Sequence, residues 1–357
     1  MSSERRISKD ELERFCRDAL TKYGMNEQDA EITGKILTIT DAFGIHSHGT
    51  KNLHPYLQKI RAGGIDPKAV PEFVREGGAF AVMDAKDGIG MASGYKAMRK
   101  AVELAKKSGI GYVAVKNSCH FGAGASYTNL AARQGLLGIA MSNTDPNMVV
   151  PGGKGMTLGN NPVSYAFPRA GGHPVILDIA LSATAALKIN KAKTYHESIP
   201  DTWMVDPDGR PTTDPQYYQN GGALLPVGAH KGYGLSLLVE ALSALASGGN
   251  FCRDVKSWCF DLPSKNRVCH AFLAVDPSLV CPDGNFAERA EELADYVKSS
   301  PKAAGTSGIF LPGEMEWNRY DDGCKNGIPL PEDVADSLRK ASEETGLKLN
   351  WSDSANG

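Results

Sequence analysis

The stretch that decides the fold is residues 110–133, IGYVAVKNSCHFGAGASYTNLAAR. Its first six residues are apolar or small and rich in β-branched side chains, which predicts a strand buried inside a sheet. His120 and the glycine turn Gly122-Ala-Gly124 follow, and helical spacing resumes at Ala125. Free N–H groups at the start of a helix favour an anion, and a histidine beside them can exchange a proton near neutral pH. The stretch therefore predicts either a ligand-binding turn or a plain sheet-to-helix connection whose histidine makes local contacts.

The composition is that of an ordinary soluble globular protein. Of the 357 residues, 41% are hydrophobic and 22% are charged. The net charge of -2 gives no reason to expect a nucleic acid or an anionic membrane surface as partner. No apolar run approaches the roughly 18 residues that a membrane-spanning helix needs, so no membrane span is expected.

The cysteines and the N-terminal sequence predict a cytoplasmic location. The opening sequence MSSERRISKDELERF is charged and has no apolar core, so no secretory signal is expected. The seven cysteines are scattered and form no Cys-x-x-Cys pair. Free thiols in a reducing compartment are therefore the expected state.

Hydrophobic periodicity predicts helices at both ends of the chain and alternating strands and helices between them. Ser8 and Glu11 form a capping box at the start of the first helix. From Ile110 onward, strands and helices alternate, which predicts an α/β fold. We expect a mainly helical region made of residues 1–75 and 300–357, and an α/β region made of residues 76–299.

A glycine-rich segment before the decisive stretch resembles a dinucleotide-binding fingerprint. Gly88, Gly90 and Gly94 have the spacing G-x-G-x-x-x-G, whereas a classical Rossmann turn has G-x-G-x-x-G. The preceding strand is short, and no acidic residue ends a second strand about 20 residues later. A plain turn that opens a helix is favoured over a phosphate loop.

The turn His46-Ser47-His48-Gly49 lies between two predicted helices. Two histidines at this spacing could bind a metal, but the site would need two further ligands. One of the pair could instead act as a general acid or base, since a histidine flanked by glycine and serine is accessible and can be oriented. We therefore predict no metal site, although a metal-dependent hydrolase using His46 and His48 stays open as a remote alternative.

Polar loops follow several predicted strands. Ser142-Asn-Thr-Asp-Pro146 and Asp178-Ile-Ala180 come after apolar strands, and Lys231 precedes an apolar helix. The crevice at the carboxyl edge of an α/β sheet is the usual ligand site. Helix capping explains the first two loops equally well, and Lys231 could be a surface lysine.

Taken together, these motifs resemble the malate/L-lactate dehydrogenase family that is distinct from the Rossmann-type lactate and malate dehydrogenases. Its members include ureidoglycolate dehydrogenase, L-sulfolactate dehydrogenase, 2,3-diketogulonate reductase and piperideine-2-carboxylate reductase. The matching stretches run in family order from about residue 7 to 346. They are Gly44-Ile-His-Ser-His-Gly-Thr50 with Tyr56, Arg61-Ala-Gly-Gly64, Asn117-Ser-Cys-His-Phe-Gly122, Asn143-Thr-Asp-Pro146 with Pro151-Gly-Gly153, Gly159-Asn-Asn-Pro162, Asp178-Ile-Ala180, Pro211-Thr-Thr-Asp-Pro215, Lys231-Gly-Tyr-Gly-Leu235 and Pro312-Gly-Glu314.

The resemblance implies a fold and an activity. The fold would be L-sulfolactate-dehydrogenase-like, a mixed sheet flanked by helices with no classical Rossmann domain. The helical region would serve the substrate and dimerisation, and the α/β region would bind the cofactor. The activity would be hydride transfer between NAD or NADP and a small 2-hydroxy or 2-oxo acid, or a related cyclic imine or sugar-derived keto acid. No clear acidic clamp for the ribose stands out, so NAD is only slightly favoured over NADP, and a homodimer is expected.

The resemblance also implies roles for particular residues. His48 would exchange the proton with the substrate oxygen, Ser47 would relay it, and His120 would share or replace the acid/base role. The residues implied to contact the cofactor are His120, Phe121, Gly122, Ala123, Gly124, Thr144, Asp178, Ile179, Ala180, Lys231, Gly313 and Glu314.

Three positions depart from the pattern of the family. The family commonly has arginine four residues after the catalytic histidine, where it grips the substrate carboxylate; this chain has Asn52, with Lys51 beside it. Asn160 stands where threonine commonly touches the substrate, and His46 stands where aspartate is frequent. We therefore expect a substrate other than plain malate or lactate, or a carboxylate clamp taken over by Lys51. A non-catalytic binding protein on the same scaffold is a further alternative.

Overall fold

The computed structural model describes residues 5–351. The first helix is the one that the capping box predicts, since the Ser8 side chain accepts a hydrogen bond from the Glu11 N–H at 3.2 Å. The helices, in chain order, are α1 (Lys9–Lys22), α2 (Glu27–Ala42), α3 (Leu53–Arg61), α4 (Gly90–Ser108), α5 (Ala125–Ala132), α6 (Ala186–Tyr195), α7 (His230–Glu240), α8 (Pro277–Val280), α9 (Phe286–Lys298), α10 (Glu314–Asn326) and α11 (Glu332–Thr345).

The strands form one large mixed sheet and two small ribbons. In chain order they are β1 (Arg5–Ile7), β2 (Glu72–Glu76), β3 (Phe80–Asp84), β4 (Ile110–Ser118), β5 (Leu137–Ser142), β6 (Val163–Phe167), β7 (Val175–Ile179), β8 (Met204–Val205), β9 (Ala223–Leu224), β10 (Val268–Val275) and β11 (Ile328–Leu330). The 7-stranded sheet has the order β2-β3-β4-β10-β5-β6-β7. β3 and β4 run parallel, and the other neighbouring strands of this sheet are antiparallel within the described range.

The strand β4 is the one predicted from the decisive stretch, and it is longer than its apolar run. It extends to Ser118 and lies between β3 and β10. Helix α4 packs on β4 and β10, whereas α5 packs on β5 and β6. The mixed sheet flanked by helices that the family resemblance implied is therefore confirmed, and the end of β4 delivers His120 to the edge of the sheet.

The glycines before α4 open a helix, as favoured above. Helix α4 begins at Gly90. A Cβ atom on Gly90 would lie 2.1 Å from the carbonyl oxygen of Cys119. The missing side chain therefore allows the start of α4 to pack against the backbone that leads into His120.

The two ends of the chain meet in a ribbon that the sequence did not predict. β1 pairs with β11 in antiparallel register, with Ile7 opposite Ile328. Helix α10 was also not predicted. The largest hydrophobic cluster contains residues from the helical ends and from the sheet, including Phe15, Leu57, Val113 and Leu338. No helix in residues 5–351 is long and apolar enough to cross a membrane.

Candidate functional site

The histidine turn between α2 and α3 is built around a buried carboxylate. Asp41, near the end of α2, accepts hydrogen bonds from the N–H and the hydroxyl of Thr50 at 2.8 and 2.5 Å. Its other oxygen lies 2.9 Å from Nδ1 of His46. A Cβ atom on Gly49 would lie 2.2 Å from this carboxylate, so the turn closes tightly only because residue 49 is glycine. Asp41 therefore fixes both ends of the turn that carries His48.

The turn holds His48 through Ser47. The Ser47 hydroxyl lies 2.8 Å from Nδ1 of His48. The side-chain amide of Asn52 donates to the carbonyl oxygen of Ser47 at 2.9 Å. These two contacts orient the imidazole so that its Nε2 atom faces away from the turn.

His48 and His120 lie side by side although they are far apart in the sequence. Their ring centroids are 5.5 Å apart and their planes are inclined by 32°. A Cβ atom on Gly122 would lie 3.9 Å from the carbonyl oxygen of His48, so the glycine turn also contacts the histidine turn. The expected convergence of the two histidines is confirmed.

His120 is enclosed by two aromatic side chains. The Tyr56 hydroxyl lies 2.5 Å from Nδ1 of His120. The indole of Trp258 stacks on the His120 ring, with centroids 4.5 Å apart and an angle of 11°. Burial, and then the nearby His48 and His270, lower the pKa of His120 well below its usual value. His120 is therefore a neutral imidazole at pH 7.

The hydrogen bond from Tyr56 decides which nitrogen of His120 carries the proton. Burial raises the pKa of Tyr56 well above its usual value, so this phenol keeps its proton and donates it. Nδ1 of His120 must then accept, and the proton of the neutral ring lies on Nε2. Within residues 5–351, the Nε2 atoms of His48 and His120 have no hydrogen-bond partner, which leaves both for a ligand.

The charge states of the two histidines are coupled. Burial also lowers the pKa of His48. The nearby His48 contributes to the lowering at His120, because two adjacent imidazolium ions would repel each other. When the pair takes up one proton, His48 is the favoured site, since the pKa of His120 is lowered further.

A third histidine, His270 on β10, supports the end of β4. Its two ring nitrogens lie 2.9 Å from the Ser142 hydroxyl and 2.8 Å from the Ser118 hydroxyl. Its ring stacks on Phe121 at 4.6 Å and 5°. Burial lowers the pKa of His270 to about 3, so it stays neutral. Both ring nitrogens of His270 are hydrogen-bonded within the fold, so this residue holds the end of β4 in place.

The helix start after the glycine turn does bind an anion, but that anion belongs to the chain. A carboxylate oxygen of Asp178, at the end of β7, accepts the Ala125 N–H at 2.9 Å. Burial raises the pKa of Asp178 to about 6, against hydrogen bonds from Ala125 and Gly124 that lower it. The expectation of N–H groups left free for a ligand is therefore corrected: Asp178 already occupies them at the start of α5.

A cavity of about 140 Å³ opens beside Asp178. Of the residues implied to contact the cofactor, Asp178 and Gly313 line it. Aromatic walls come from Phe43 and Trp317, and Ile45 of the histidine turn closes another side. A flat aromatic wall suits a planar base, and a carboxylate beside it suits a hydroxyl of the attached ribose. These residues therefore fit part of a nicotinamide dinucleotide.

The other positions implied to contact the cofactor have the following surroundings. Thr144 donates its hydroxyl to the side-chain oxygen of Asn160 at 3.0 Å. Lys231 is exposed near the start of α7, and Glu314 accepts the Leu311 N–H at 2.9 Å and pairs with Lys298. The remaining members flank His120 or Asp178 along the chain: Phe121, Gly122, Ala123, Gly124, Ile179 and Ala180.

The two positions considered for a carboxylate clamp are both engaged. The Lys51 ammonium forms an ion pair with Asp333 at 2.6 Å. The Asn52 amide is used by the Ser47 carbonyl. Neither offers an unpaired cation to a substrate in this arrangement.

His46 and His48 bind different partners, Asp41 and Ser47. Within the described residues, no group of three or more His, Cys, Asp or Glu side chains is arranged to hold a metal ion.

Sequence reasoning missed two parts of the site. The first is Trp258, which stacks on His120 and on Tyr56. The second is the buried Lys59, which donates to the carbonyl oxygens of Asp261 and Ser264, in the loop after Trp258, at 2.7 and 2.9 Å. The contact of Lys59 with Asp261 joins positions 202 apart in the sequence, and no local motif indicates it or the stacking of Trp258. The sequence offered one signal for Lys59: this lysine falls on the apolar side of α3, and a lysine is rarely buried unless it has a partner.

Comparison with known proteins extends over nearly the whole chain. The family described as Malate/L-lactate dehydrogenase matches residues 7–339. A malate dehydrogenase of Pyrococcus abyssi is 37% identical over 350 residues, which is 96% of both chains. A ureidoglycolate dehydrogenase (NAD(+)) of Escherichia coli O157:H7 is 30% identical and covers 95% of this chain and 98% of its own.

Solved structures give the same result. Sulfolactate dehydrogenase from Methanocaldococcus jannaschii superposes with a TM-score of 0.89 at 34% identity, over 96% of this chain and 98% of that one. The Δ1-piperideine-2-carboxylate reductase from Pseudomonas syringae pv. tomato superposes with a TM-score of 0.85 at 29% identity, over 94% and 99% of the two chains.

Fold, paired histidines and similarity together define the class of protein: an NAD(P)-dependent oxidoreductase of the dehydrogenase type. Its relatives are named for NAD(+) in some cases and NADP(+) in others. The chain belongs to the malate/L-lactate dehydrogenase family, which is separate from the Rossmann-type enzymes of similar name.

Proposed function

We propose that the chain transfers a hydride between NAD(P) and the C2 atom of a small 2-hydroxy or 2-oxo acid. The observation that carries the proposal is the pair His48 and His120, whose ring centroids are 5.5 Å apart and whose Nε2 atoms have no hydrogen-bond partner within residues 5–351. A bound nicotinamide supplies or takes the hydride. The protein contributes two imidazoles, one to hold the reacting oxygen and one to exchange its proton.

His120 suits the holding role. Its Nε2–H is a hydrogen-bond donor that stays in place across the neutral range, because the pKa is lowered well below its usual value. A neutral imidazole can donate to a carbonyl oxygen without giving up its proton. It would polarise the carbonyl of the oxo acid as the hydride arrives at C2.

His48 suits the proton exchange. In the reductive direction, the carbonyl carbon gains a hydride and its oxygen gains the proton of the His48 imidazolium. In the oxidative direction, neutral His48 takes the hydroxyl proton as the C–H bond to C2 breaks. The Ser47 hydroxyl lies 2.8 Å from Nδ1 of His48. It can accept a hydrogen bond from the Nδ1–H of the imidazolium and so keep the ring oriented.

The substrate class follows from the clamp positions. The ion pair of Lys51 with Asp333 and the use of Asn52 within its own turn support a substrate whose carboxylate is held without a bidentate arginine at this position. This favours a 2-oxo acid with a further polar group, beyond plain malate or lactate. Asn160 and its partner Thr144 are the proposed contacts of that group.

A panel of substrates tests the proposal. Pyruvate, oxaloacetate, sulfopyruvate, oxalurate and sugar-derived keto acids would each be incubated with NADH and with NADPH, and oxidation of the coenzyme would be followed by its absorbance. We expect turnover of one extended 2-oxo acid, with NADH preferred, and no effect of a chelator. Efficient reduction of pyruvate or oxaloacetate that survives Lys51→Ala would overturn the substrate assignment, and tight NADH binding without turnover would indicate a binding protein.

A cyclic imine is the second candidate substrate. The superposition with the piperideine-2-carboxylate reductase favours it, and a C=N bond needs the same hydride and proton. The panel separates the two, since an imine reductase would reduce piperideine-2-carboxylate faster than any 2-oxo acid.

We also propose that the protein is a homodimer. The helical region would serve dimerisation and the α/β region would serve the cofactor, and helix α7, which lies in the α/β region, would extend the dimer contact. Helix α7 supports the dimer, because Leu235 and Leu238 on its outer face are about half exposed, at 48% and 50%, and Leu245 just beyond it is 61% exposed. Exposed leucines in one stripe of a helix are the usual mark of a protein contact. The seven free cysteines support a reducing, cytoplasmic location.

Oligomeric state can be tested at α7. We expect sedimentation of the wild-type protein as a dimer, and of Leu238→Glu as a monomer. Leu279→Glu is the matched control, since Leu279 on α8 is also 50% exposed. A monomeric wild-type protein, or a Leu238→Glu variant that remains dimeric, would contradict the proposed face.

A further inference from the structure

The buried carboxylate of Glu240 has no role in the mechanism above. Glu240 is the last residue of α7 and is only 5% exposed. Within residues 5–351 it forms no ion pair with a lysine, arginine or histidine, yet its two oxygens lie 3.0 Å from Nδ2 of Asn143 and 3.2 Å from Nδ2 of Asn161. A carboxylate removed from water without a cation needs such donors to stay charged.

The orientation of both amides is fixed independently of Glu240. The side-chain oxygen of Asn143 accepts the Cys269 N–H at 2.7 Å. The side-chain oxygen of Asn161 accepts the Thr144 N–H at 3.0 Å. Because each oxygen is held by a backbone donor, each NH₂ group must point the other way.

Each NH₂ group is therefore a donor that meets Glu240. The second hydrogen of Asn143 goes to the Asn250 carbonyl at 2.9 Å, and that of Asn161 goes to the Ser236 carbonyl at 3.1 Å. The residue at position 240 must accept on both of its terminal atoms. A carboxylate does so, whereas a glutamine would bring its own NH₂ group against one of the two amides.

These contacts converge on the loops that carry Thr144 and Asn160. Asn143 and Asn161 are their direct neighbours in the chain, and the Thr144 hydroxyl donates to Asn160 at 3.0 Å. Asn161 has φ +28°, a backbone conformation that a non-glycine residue keeps only when its surroundings hold it. The loop after β5 and the loop before β6 are thus tied together through one carboxylate on α7.

We propose that Glu240 is a positioning residue that sets Thr144 and Asn160 for the cofactor and substrate. This inference rests on the proposed function, because the roles of Thr144 and Asn160 come from it. Glu240 touches neither ligand and acts through Asn143 and Asn161. Burial raises the pKa of Glu240 against the four hydrogen bonds from Asn143, Asn161 and Cys252 that lower it.

The experiment compares Glu240→Gln with Ser243→Ala, a buried neighbour whose hydroxyl donates to the Val239 carbonyl. NADH binding is measured by fluorescence, and KM and kcat are measured with the best substrate of the panel. We expect Glu240→Gln to raise KM at least tenfold with a smaller fall in kcat, and Ser243→Ala to match the wild type. Kinetic constants of Glu240→Gln equal to those of the wild type would overturn the proposal.

A double-mutant cycle separates positioning from general destabilisation. In an Asn161→Ala background, Glu240→Gln should raise KM by a smaller factor than in the wild type, because one of the two contacts through which Glu240 acts is already gone. Full additivity of the two effects would refute the proposal. Where the glutamine variant does not fold, Glu240→Asp keeps both acceptor oxygens at shorter reach; it should raise KM, and an unchanged KM would refute the proposal.

Failure of the proposed function looks different. In that case the wild-type protein itself would neither bind NADH nor turn over any substrate of the panel. A wild-type enzyme that is active while Glu240→Gln is unaffected leaves the function standing and removes only the positioning role.

Discussion

The Tyr56 hydroxyl lies 2.5 Å from Nδ1 of His120, across 64 positions of sequence. The phenol keeps its proton because burial raises its pKa. It therefore fixes the tautomer of His120 and leaves the proton of the neutral ring on Nε2. One buried hydroxyl thus decides what kind of hydrogen-bonding group His120 offers to the proposed site.

Tyr56→Phe should lower kcat about 3- to 10-fold, as expected for the loss of one hydrogen bond worth about 1 kcal/mol. The fold should persist, because the ring still stacks on Trp258 at 5.1 Å. Tyr112→Phe is the control: its hydroxyl donates to the Leu242 carbonyl, not to a histidine. Steady-state kinetics of both variants decide the point, and equal losses would show that the tautomer of His120 does not matter.

The pH dependence of the reaction should follow His48. Burial lowers its pKa below the usual 6.5, so the neutral base is present at pH 7 and is lost only on acidification. For oxidation, kcat/KM should be level above about pH 6.5 and fall below it. For reduction, kcat/KM should fall as the pH rises through the same region, because the imidazolium is the acid.

Profiles recorded in both directions give the measurement. His48→Gln should abolish the pH-dependent step. His54→Gln should leave it in place, since the ring of His54 bonds to Glu344 and is not part of the pair formed by His48 and His120. A transition near pH 9 in the wild-type profile would point to another group as the proton donor.

The sequence predicted the centre of the fold better than its ends. Strand β4 and helix α4 carry their signal locally, in an apolar run and a helical stripe. β1 and β11 have three residues each, and their pairing joins the two ends of the chain, so no periodicity could reveal it. Helix α7 begins at His230, so Lys231, which was predicted to precede the helix, lies within its first turn.

The site shows the same division. His48 and His120 could be found from their glycine-flanked turns, and the family resemblance brought them together. The contact of Asp178 with the start of α5 was not predicted, because nothing local shows that the carboxylate at the end of β7 reaches that helix. Trp258 and Lys59 were missed for the same reason. Residues that act by their own chemistry leave a local pattern, whereas residues that act by packing across the fold do not.

Gly49→Ala should disrupt the histidine turn. Gly49 has φ −87°, so alanine costs nothing in backbone conformation, but its Cβ would meet the Asp41 carboxylate at 2.2 Å. Asp41 must then move and weaken its bonds to Thr50 and His46. We expect a loss of about 1–3 kcal/mol in stability and at least tenfold in kcat/KM. Gly78→Ala is the control, with nothing within 4 Å of its Cβ position, and wild-type behaviour of both variants would refute the account.

His270 and Asp178 should shape acid unfolding in opposite directions. The pKa of His270 is about 3 in the folded protein and about 6.5 unfolded, so the unfolded state binds more protons and stability falls as the pH drops between these values. The maximal slope is about 1.4 kcal/mol per pH unit. The pKa of Asp178 is raised to about 6, so the folded state binds more protons between about pH 4 and 6 and opposes this loss. Urea unfolding from pH 4 to 8 should be less pH-dependent for His270→Gln and more so for Asp178→Asn; unchanged slopes in both would contradict these pKa shifts.

Lys59→Met should release the loop that covers His120. The buried ammonium donates to the carbonyl oxygens of Asp261, Leu262 and Ser264, and methionine of similar length leaves these carbonyls without their donor. We expect a loss of about 1–3 kcal/mol in stability and a fall in kcat, because Trp258 no longer stacks firmly on His120. Acrylamide quenching of tryptophan emission, measured against a Trp258→Phe background, should show greater access to Trp258. Lys35→Met is the control, since Lys35 forms an exposed pair with Glu31 that contributes little, and an unchanged quenching constant in Lys59→Met would mean that the loop is held by its other contacts.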